Sequence, residues 1–261
     1  MHAHNFRIQA EFDPRKWGGV TLRNFLTIFS QSNFNEALFN NLLISIFGLF
    51  LQLIIALYIA NILSKTFFGR GFFRSIVILP LGVPTIVSAT IMLCLFTGGG
   101  YINGMLYTFG ISEIPRTPIW LAGGWESILT IIIADSWKVL PIVVLILLSG
   151  YEGIDKQLYE ASDMDGTSSW QKFYFITLPL LRPAITAAII LRGVDAFQIF
   201  EIPLVLVGDS IPVLSTFAYY EYSIMLNDHT SAAASIILFL IILFLSITYL
   251  LWNRRRGGDI R

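Results

Sequence analysis

The chain contains few charged residues, and this shortage already restricts the class of protein. Of its 261 residues, 13% are charged, about half of the roughly 25% that is usual in soluble domains. Hydrophobic residues make up 55% of the sequence, and the mean hydropathy is +0.71. Low charge together with high hydropathy indicates a membrane protein rather than a soluble globular domain.

The sequence also offers little for thiol, metal or nucleotide chemistry. The single cysteine, Cys94, excludes an intramolecular disulfide, and its position in a hydrophobic run predicts a packing role. The histidines lie outside the hydrophobic runs, so no His-x-x-x-His metal pair is present. No G-x-x-x-x-G-K-[ST] phosphate loop occurs either. We therefore expect no metal, no cofactor, no catalytic residues, no nucleic-acid partner and no ATP hydrolysis by this polypeptide alone.

Five hydrophobic runs are long enough to cross a bilayer as helices. A helix needs about 20 apolar residues to span ~30 Å of hydrocarbon. Lipid cannot pair with backbone polar groups, and these runs lack the alternating pattern of a membrane barrel, so all are predicted to be helical. The predicted spans are Leu42–Leu63, Ser75–Phe96, Ile128–Leu148, Pro183–Val207 and Ala232–Trp252. The predicted fold class is an all-α membrane protein with one transmembrane domain, at 38–252.

Basic residues alternate between the connections that join these spans. They are frequent in the first and third connections and in the C-terminal tail, whereas the second connection contains one and the fourth none. Because Lys and Arg are retained on the cytoplasmic side, this alternation places the turn at 65–74, the loop at 151–182 and the tail at 253–261 in the cytoplasm. The N-terminal segment at 1–37 is then external.

That N-terminal segment is difficult to reconcile with the predicted topology. It contains Arg7, Arg15, Lys16 and Arg23, and it has no hydrophobic region that could serve as a signal peptide. We expect that a further transmembrane helix preceded Met1 and was lost by truncation or by a late start assignment. The alternative is a chain of five native helices with an external N-terminus.

The loop at 151–182 contains signals for a short, amphipathic helix. Asp155 is placed to cap a helix that ends near Met164, and Gly166 can supply the left-handed residue that closes it. Ile154, Leu158 and Ala161 form a narrow apolar face. The opposite side of the helix is mainly acidic.

A second short helix is predicted directly after the first. Ser168 and Gln171 match a capping box, which predicts a helix over 169–177, and Pro179 and Pro183 are expected to separate it from the fourth span. An amphipathic helix held between two turns suits insertion into a groove on a soluble partner. The alternative is an interfacial helix lying among lipid headgroups, although such helices are usually rich in Lys and Arg.

This loop resembles the cytoplasmic signature of the permease subunits of binding-protein-dependent ABC importers. The signature reads EAA, three residues, G, nine residues, I, one residue, LP. The residues in register are Glu160, Ala161, Gly166, Ile176, Leu178 and Pro179, with Ser162 in place of the second alanine. The flanking words ADSWKVLPIVVLILLSGYEGIDKQLYEASDMDG, FITLPLLRPAI and RGVDAFQIFE are similar to maltose-type sugar permeases. The chain departs from that branch at 208–212, where a glycine-rich turn is frequent.

The resemblance implies a type I importer permease in the cell inner membrane, a family that commonly has one further N-terminal helix. The loop helix would be a coupling helix that docks on a separate ATPase. The implied coupling residues are Leu158, Tyr159, Glu160, Ala161, Ser162, Asp165, Gly166, Ile176, Leu178 and Pro179. The implied partners are a second, similar but distinct permease, two ATP-binding subunits that hold ATP and Mg, and an external solute-binding protein.

Two other functions are compatible with the sequence. An ABC importer for a non-sugar solute, such as an amino acid or a polyamine, would share the coupling signature. An ATP-independent secondary carrier or an intramembrane enzyme belongs to a different class. Uptake without nucleotide would identify the carrier, and a polar catalytic set inside the spans would identify the enzyme.

Ionisable residues inside the predicted spans are candidates for function, because each costs about 2.5 to 3.5 kcal/mol at mid-membrane unless it is paired or hydrated. Asp135 and Lys138 lie three residues apart on the third span and are predicted to pair, the alternative being a role in substrate binding. On the fourth span a polar stripe drifts by about 60° per step and is predicted to line the substrate pathway. The stripe consists of Arg192, Asp195, Gln198 and Glu201. The alternative is that Arg192 and Asp195 neutralise each other at a helix interface.

Overall fold

A computed structural model of the chain describes residues 23–110 and 119–256, and in these ranges it contains helices and no strands. The predicted all-α fold is therefore confirmed. The helices are α1 (Arg23–Phe29), α2 (Ser32–Ser64), α3 (Arg70–Ile78), α4 (Thr85–Phe96), α5 (Tyr101–Thr108), α6 (Trp125–Glu152), α7 (Lys156–Met164), α8 (Ser169–Lys172), α9 (Leu178–Leu180), α10 (Arg182–Phe197), α11 (Glu201–Leu206), α12 (Leu214–Ser223) and α13 (Asp228–Arg256). A π-helical turn, Phe173–Thr177, joins α8 to α9.

Four helical segments are long and apolar enough to cross a membrane, and a bent pair of helices supplies a fifth. The four are α2, the segment Thr85–Thr108 formed by α4 and α5, α6, and Asp228–Thr248 of α13. The bent pair is Ser169–Leu180 with Arg182–Phe197, at an angle of 64°. The first, third and fifth predicted spans are confirmed, and each helix extends beyond its hydrophobic run.

The second predicted span, Ser75–Phe96, is wrong as a continuous helix. α3 ends at Ile78, a 3-10 turn follows over Leu79–Gly82, and α4 begins only at Thr85. Pro80 and Pro84 explain the interruption, because each removes a backbone donor and the residue before a proline avoids helical angles. Val83, which precedes the second proline, is extended, with φ −86° and ψ 129°.

The fourth predicted span, Pro183–Val207, is also interrupted. α10 ends at Phe197, and the short helix α11 begins at Glu201. Pro203 has no N–H to donate to the carbonyl of Ile199, which disfavours a continuous helix at this point. Ser215 donates a hydrogen bond to that carbonyl instead.

The core is built around the contact between α2 and α6, on which α10 packs from one side. Gly150 permits the close approach of α6 to the start of α10, because a Cβ at this position would lie 2.6 Å from the Cβ of Ala184. One apolar cluster of the core includes Ala56, Leu147 and Leu181, all fully buried. α6 is therefore the central helix that positions the loop following it.

Large apolar side chains cover much of the outer surface. Phe39 and Phe50 on α2 are each 63% exposed, and Phe244 on α13 is 69% exposed. Contiguous exposed apolar surface on this scale is typical of a face that meets lipid or another subunit. The surface is consistent with a bundle embedded in a membrane.

Candidate functional site

The α7 loop, residues 151–182, is organised by hydrogen bonds between near neighbours. The side chain of Asp155 accepts a hydrogen bond of 3.0 Å from the backbone N–H of Gln157, so it caps α7 as predicted. This bond satisfies one of the backbone donors that the first turn of a helix leaves unpaired. The predicted start and end of α7 are both confirmed.

A left-handed glycine closes α7. Gly166 has φ +70°, a conformation that residues with a Cβ rarely adopt. The N–H of Thr167 donates to the carbonyl of Ser162 at 3.2 Å, and the N–H of Gly166 donates to the carbonyl of Asp163 at 3.1 Å. These two bonds form a Schellman motif, which pairs the last carbonyls of the helix. The predicted role of Gly166 is confirmed.

The predicted capping box is also present. The N–H of Ser168 donates to Oε1 of Gln171 at 2.7 Å, and the N–H of Gln171 donates to Oγ of Ser168 at 3.3 Å. The helical segment that follows runs through the π-helical turn to Leu180, beyond the predicted end at 177. Pro179 does not end it, because a proline is tolerated in the first turn of α9, and the chain bends near Leu181 instead.

The inward side of α7 is polar. The hydroxyls of Tyr159 and Thr177 form a hydrogen bond of 2.8 Å, and Lys172 forms an ion pair with Asp163. Ser162 is 6% exposed, and its hydroxyl donates to the carbonyl of Tyr159 at 2.7 Å. The serine that replaces the second alanine of the signature is therefore buried with its hydrogen bond made.

The outward side of the α7 loop carries apolar side chains. Leu158 is 45% exposed, Met164 is 90% exposed and Trp170 is 72% exposed. The structure places the other predicted coupling residues in two groups. Glu160, Ala161, Asp165 and Gly166 are exposed, whereas Tyr159, Ile176, Leu178 and Pro179 are partly buried. Met164 and Trp170 were not predicted, although an apolar residue in a polar loop was a signal that could have identified them.

A second polar site lies between the spans. Nη2 of Arg192 donates to Oδ2 of Asp135 at 2.8 Å, and Nε of Arg192 donates to Oε1 of Gln52 at 3.0 Å. Gln52 in turn donates to Oδ2 of Asp135 at 2.9 Å. The side chains of Arg192 and Asp135 are 3% and 13% exposed, and Gln52 is fully buried. This buried cluster joins α2, α6 and α10. Gln52 was not predicted to belong to it, although a single amide side chain in a long apolar run was a signal that could have identified it.

The predicted pairing of Asp135 with Lys138 is wrong. Nζ of Lys138 donates to the carbonyls of Pro80 and Leu81, both at 3.1 Å, and to the carbonyl of Val83. These carbonyls belong to the interrupted helix between α3 and α4, where the carbonyl of Pro80 also accepts a hydrogen bond from the N–H of Val83. Lys138 therefore donates hydrogen bonds to carbonyls at the helix break. Arg192, and not Lys138, pairs with Asp135.

The predicted polar stripe on the fourth span is wrong as one continuous face, because α10 ends before Gln198. Arg192 is buried, with Nη1 at 3.8 Å from Oδ2 of Asp195, as the alternative interpretation expected. The Asp195 side chain is 53% exposed, and Gln198 and Glu201 are also exposed. Three of the four residues therefore reach the surface of this chain, and Arg192 does not.

Side chains of α2 hold the end of α10 in place. Oγ of Ser45 donates to the carbonyl of Ala196 at 2.9 Å, and Nδ2 of Asn41 donates to the carbonyl of Phe197 at 3.4 Å. The last carbonyls of a helix have no partner within it. These bonds replace the missing ones and fix the point at which the chain leaves α10, just before Gln198.

The sequence matches the family described as "Binding-protein-dependent transport system inner membrane component" over residues 52–257. It is 37% identical over 246 residues to the "Trehalose/maltose transport system permease protein MalF" of Thermococcus litoralis, covering 91% of this chain and 80% of that relative. It is 30% identical over 198 residues to the "Trehalose transport system permease protein SugA" of Mycobacterium tuberculosis, covering 76% of this chain and 62% of that relative.

A solved structure has the same fold. A chain of a bacterial ABC transporter involved in the import of the acidic polysaccharide alginate superposes with a TM-score of 0.81. The two chains are 22% identical, and the match covers 92% of this chain and 85% of the other. At this identity the similarity establishes the fold alone.

Proposed function

This chain belongs to the family of binding-protein-dependent transport system inner membrane components, and from that membership we propose that it forms half of the membrane pathway of an ATP-driven sugar importer. Family membership makes it an ABC importer permease, a multi-pass subunit of the inner membrane and not an enzyme. The carried solute, the coupling contact and the composition of the assembly are the proposed parts.

A sugar or oligosaccharide is the proposed solute. The observation that carries this proposal is the 37% identity to a trehalose/maltose permease along 91% of the chain. The trehalose permease of a second organism, at 30% identity, supports the same class of solute. An amino acid or a polyamine has no comparable support among these relatives.

The α7 loop is the proposed contact with the ATPase. Its caps fix a short helix at the surface, and the exposed side chains of Leu158 and Met164 offer apolar contacts. A helix of this kind binds in a groove through its apolar residues. The ATP and Mg²⁺ would be held by the partner, and closure of that partner around nucleotide would move α7 and, through α6 and α10, the spans.

The proposed assembly contains a second, distinct permease, two ATP-binding subunits and an external solute-binding protein. The family description supports dependence on a binding protein. Two permeases facing each other would place the pathway at their interface, where alternating access requires one half to rock against the other. Asp195, Gln198 and Glu201, exposed on this chain, are the proposed pathway residues.

The coupling contact can be tested by matched substitutions of two exposed methionines. Met164 on α7 is 90% exposed and Met225, after α12, is 67% exposed. A charge at the first position should disrupt an apolar contact with the ATPase, so Met164→Asp should reduce recovery of the ATPase in mild-detergent purification. Met225→Asp should leave recovery unchanged. Equal recovery with both variants would contradict docking through α7.

The solute can be tested by reconstitution of the purified assembly into vesicles. Uptake of labelled trehalose or maltose should require ATP and the solute-binding protein. Labelled histidine and labelled spermidine serve as the non-sugar arms. ATP-dependent uptake of either, with none of the sugars, would contradict the proposed sugar class, and uptake without nucleotide would contradict the ATP-driven mechanism.

A further inference from the structure

A cavity of about 550 Å³ lies behind the α7 loop, at the ends of α2 and α6. Its lining combines basic and hydroxyl side chains from three parts of the chain, including Lys65, Arg70, Tyr151, Lys156 and Lys172. The basic residues of the first and third connections meet here, so the cavity lies on the predicted cytoplasmic side. The proposed contact with the ATPase is on the outward side of the loop and does not use this cavity.

The cavity has an excess of positive charge. Two of its cations are paired, since Arg70 forms a 2.6 Å ion pair with Glu152 and Lys172 is paired with Asp163. Glu152 and Asp163 are the acidic residues of the lining, and both are used in these pairs. Within 23–110 and 119–256, Lys65 and Lys156 form no side-chain hydrogen bond and no ion pair. Two positive charges therefore face the cavity without a counter-charge.

Tyr151, which lines the cavity, carries a buried hydroxyl. Tyr151 is 7% exposed, and its hydroxyl has no hydrogen-bond partner in the part of the chain that the structure describes. A buried polar group without a partner is destabilising, and such groups are rare in native proteins. This hydroxyl can donate to an anionic group held between Lys65 and Lys156.

An apolar cavity of about 620 Å³ adjoins the charged one. The two share Asn61, Ser169 and Phe173 as lining residues. From there the apolar cavity follows α2 to Ile54, seven residues and thus about 10 Å further along the helix. Its remaining lining is also hydrophobic or aromatic, with Trp170 at the loop end. A cationic cavity and a mainly apolar cavity thus lie side by side along the end of α2.

We propose that the adjoining cavities bind one anionic phospholipid of the cytoplasmic leaflet. Its phosphate would be held by Lys65, Lys156 and the hydroxyl of Tyr151, and an acyl chain would lie along α2 beside Ile54 and Trp170. Each cation near an anionic headgroup contributes about 1 kcal/mol of attraction. A free phosphate ion would share the charged cavity but would leave the apolar cavity without a role.

Such a lipid would join the ends of α2 and α6 to the first turn of α7. It would therefore hold the loop in the orientation in which its apolar face is exposed. The lipid site itself is independent of the proposed function, and only its effect on coupling depends on that function. Lipid binding is accordingly measured without ATPase, nucleotide or sugar.

The test uses the full chain purified in detergent and stripped of lipid, with lipid retention measured by native mass spectrometry. Phosphatidylglycerol should bind more tightly than phosphatidylcholine. Lys65→Gln and Lys156→Gln should each weaken phosphatidylglycerol binding by about fivefold. Tyr151→Phe keeps the packing and the charge and should weaken it by about tenfold, the effect of a lost hydrogen bond to a charged group.

Arg182→Gln is the matched control, because Arg182 is exposed, is the last residue of the same loop and does not line either cavity. It removes one positive charge and should leave binding within about twofold, since separated exposed charges are screened. Circular dichroism confirms that each variant keeps its helices. Equal binding of the two lipids, unchanged binding in Tyr151→Phe and in both lysine variants, or displacement of the lipid by inorganic phosphate at equal concentration would overturn the proposal.

Discussion

The polar groups of the α7 loop and those of the buried cluster are held in opposite ways. In the loop, Asp155 bonds two residues ahead and Ser168 bonds three residues ahead, and all of these side chains are exposed. In the cluster, Arg192 bonds to Gln52, 140 residues earlier, and to Asp135, 57 residues earlier, and all three are buried. One site is built from local contacts at the surface, and the other from contacts between distant helices.

This difference decides what a substitution does at each site. Water can replace a lost partner in the loop, so a change there alters the shape of the docking face more than the free energy of unfolding. The cluster is almost wholly buried, and a charge left without its partner there is strongly destabilising. The largest losses of stability are therefore expected inside the membrane, and the largest losses of coupling at the loop.

Arg192→Met should have the largest effect on stability. It removes the cation from Asp135 and leaves a buried carboxylate, which destabilises a folded protein by about 3 kcal/mol or more. The measurement is the free energy of unfolding in mixed detergent, compared with the wild-type chain.

The double variant Asp135→Leu with Arg192→Met is the control for that experiment. It replaces the ion pair by apolar side chains of similar size and leaves Gln52 its bond to Ser136, so it should recover part of the lost stability. If the losses of stability measured for Asp135→Leu alone and for Arg192→Met alone simply add in the double variant, the two residues do not act as a pair.

Lys138→Met should have an intermediate effect. It removes the charged donor shared by the carbonyls of Pro80, Leu81 and Val83, and a hydrogen bond to a charged group contributes about 1.5 to 3 kcal/mol. Lys138→Arg keeps the charge and the donors and should retain most of the stability. Unfolding of both variants in the same detergent series would compare them directly, and a Lys138→Met variant as stable as wild type would show that the break needs no lysine.

Gly166→Val should change coupling more than global stability. A β-branched residue at φ +70° costs about 1 to 2 kcal/mol and would open the Schellman motif. Gly166→Asn is the matched control, because asparagine tolerates this conformation. The valine variant should lower ATPase recovery or separate ATP hydrolysis from uptake, and the asparagine variant should do neither. Normal coupling in the valine variant would contradict the proposed role of the loop.

The same contrast explains which features could be predicted from the sequence. The cap at Asp155, the capping box at Ser168 and the turn at Gly166 depend on residues at most five positions apart, so their spacing is sufficient to identify them. The long apolar runs of α2, α6 and α13 were equally clear, because the solvent requires helices there. These features account for the fold class and for the geometry of the α7 loop.

The partners of the buried charges could not be predicted in this way. Asp135 and Lys138 are neighbours on α6, yet Arg192 reaches Asp135 from α10, and Lys138 turns to the carbonyls around Pro80. Which cation meets which acceptor depends on how three helices pack and on where prolines interrupt a fourth. Hydropathy does not register the interruptions, because Pro80 lies within an otherwise apolar run.

Replacement of both Asp195 and Gln198 by alanine should have the smallest effect on stability and a selective effect on transport. Asp195 is half exposed and lies 3.8 Å from Arg192, and an exposed ion pair of this kind contributes about 1 kcal/mol or less. Arg192 keeps its bond to Asp135, so the variant should assemble normally and unfold within about 0.5 kcal/mol of wild type. Because both side chains are exposed on the proposed pathway face, uptake of the transported sugar should fall. Unchanged uptake kinetics in a normally assembled variant would place the pathway elsewhere on the chain.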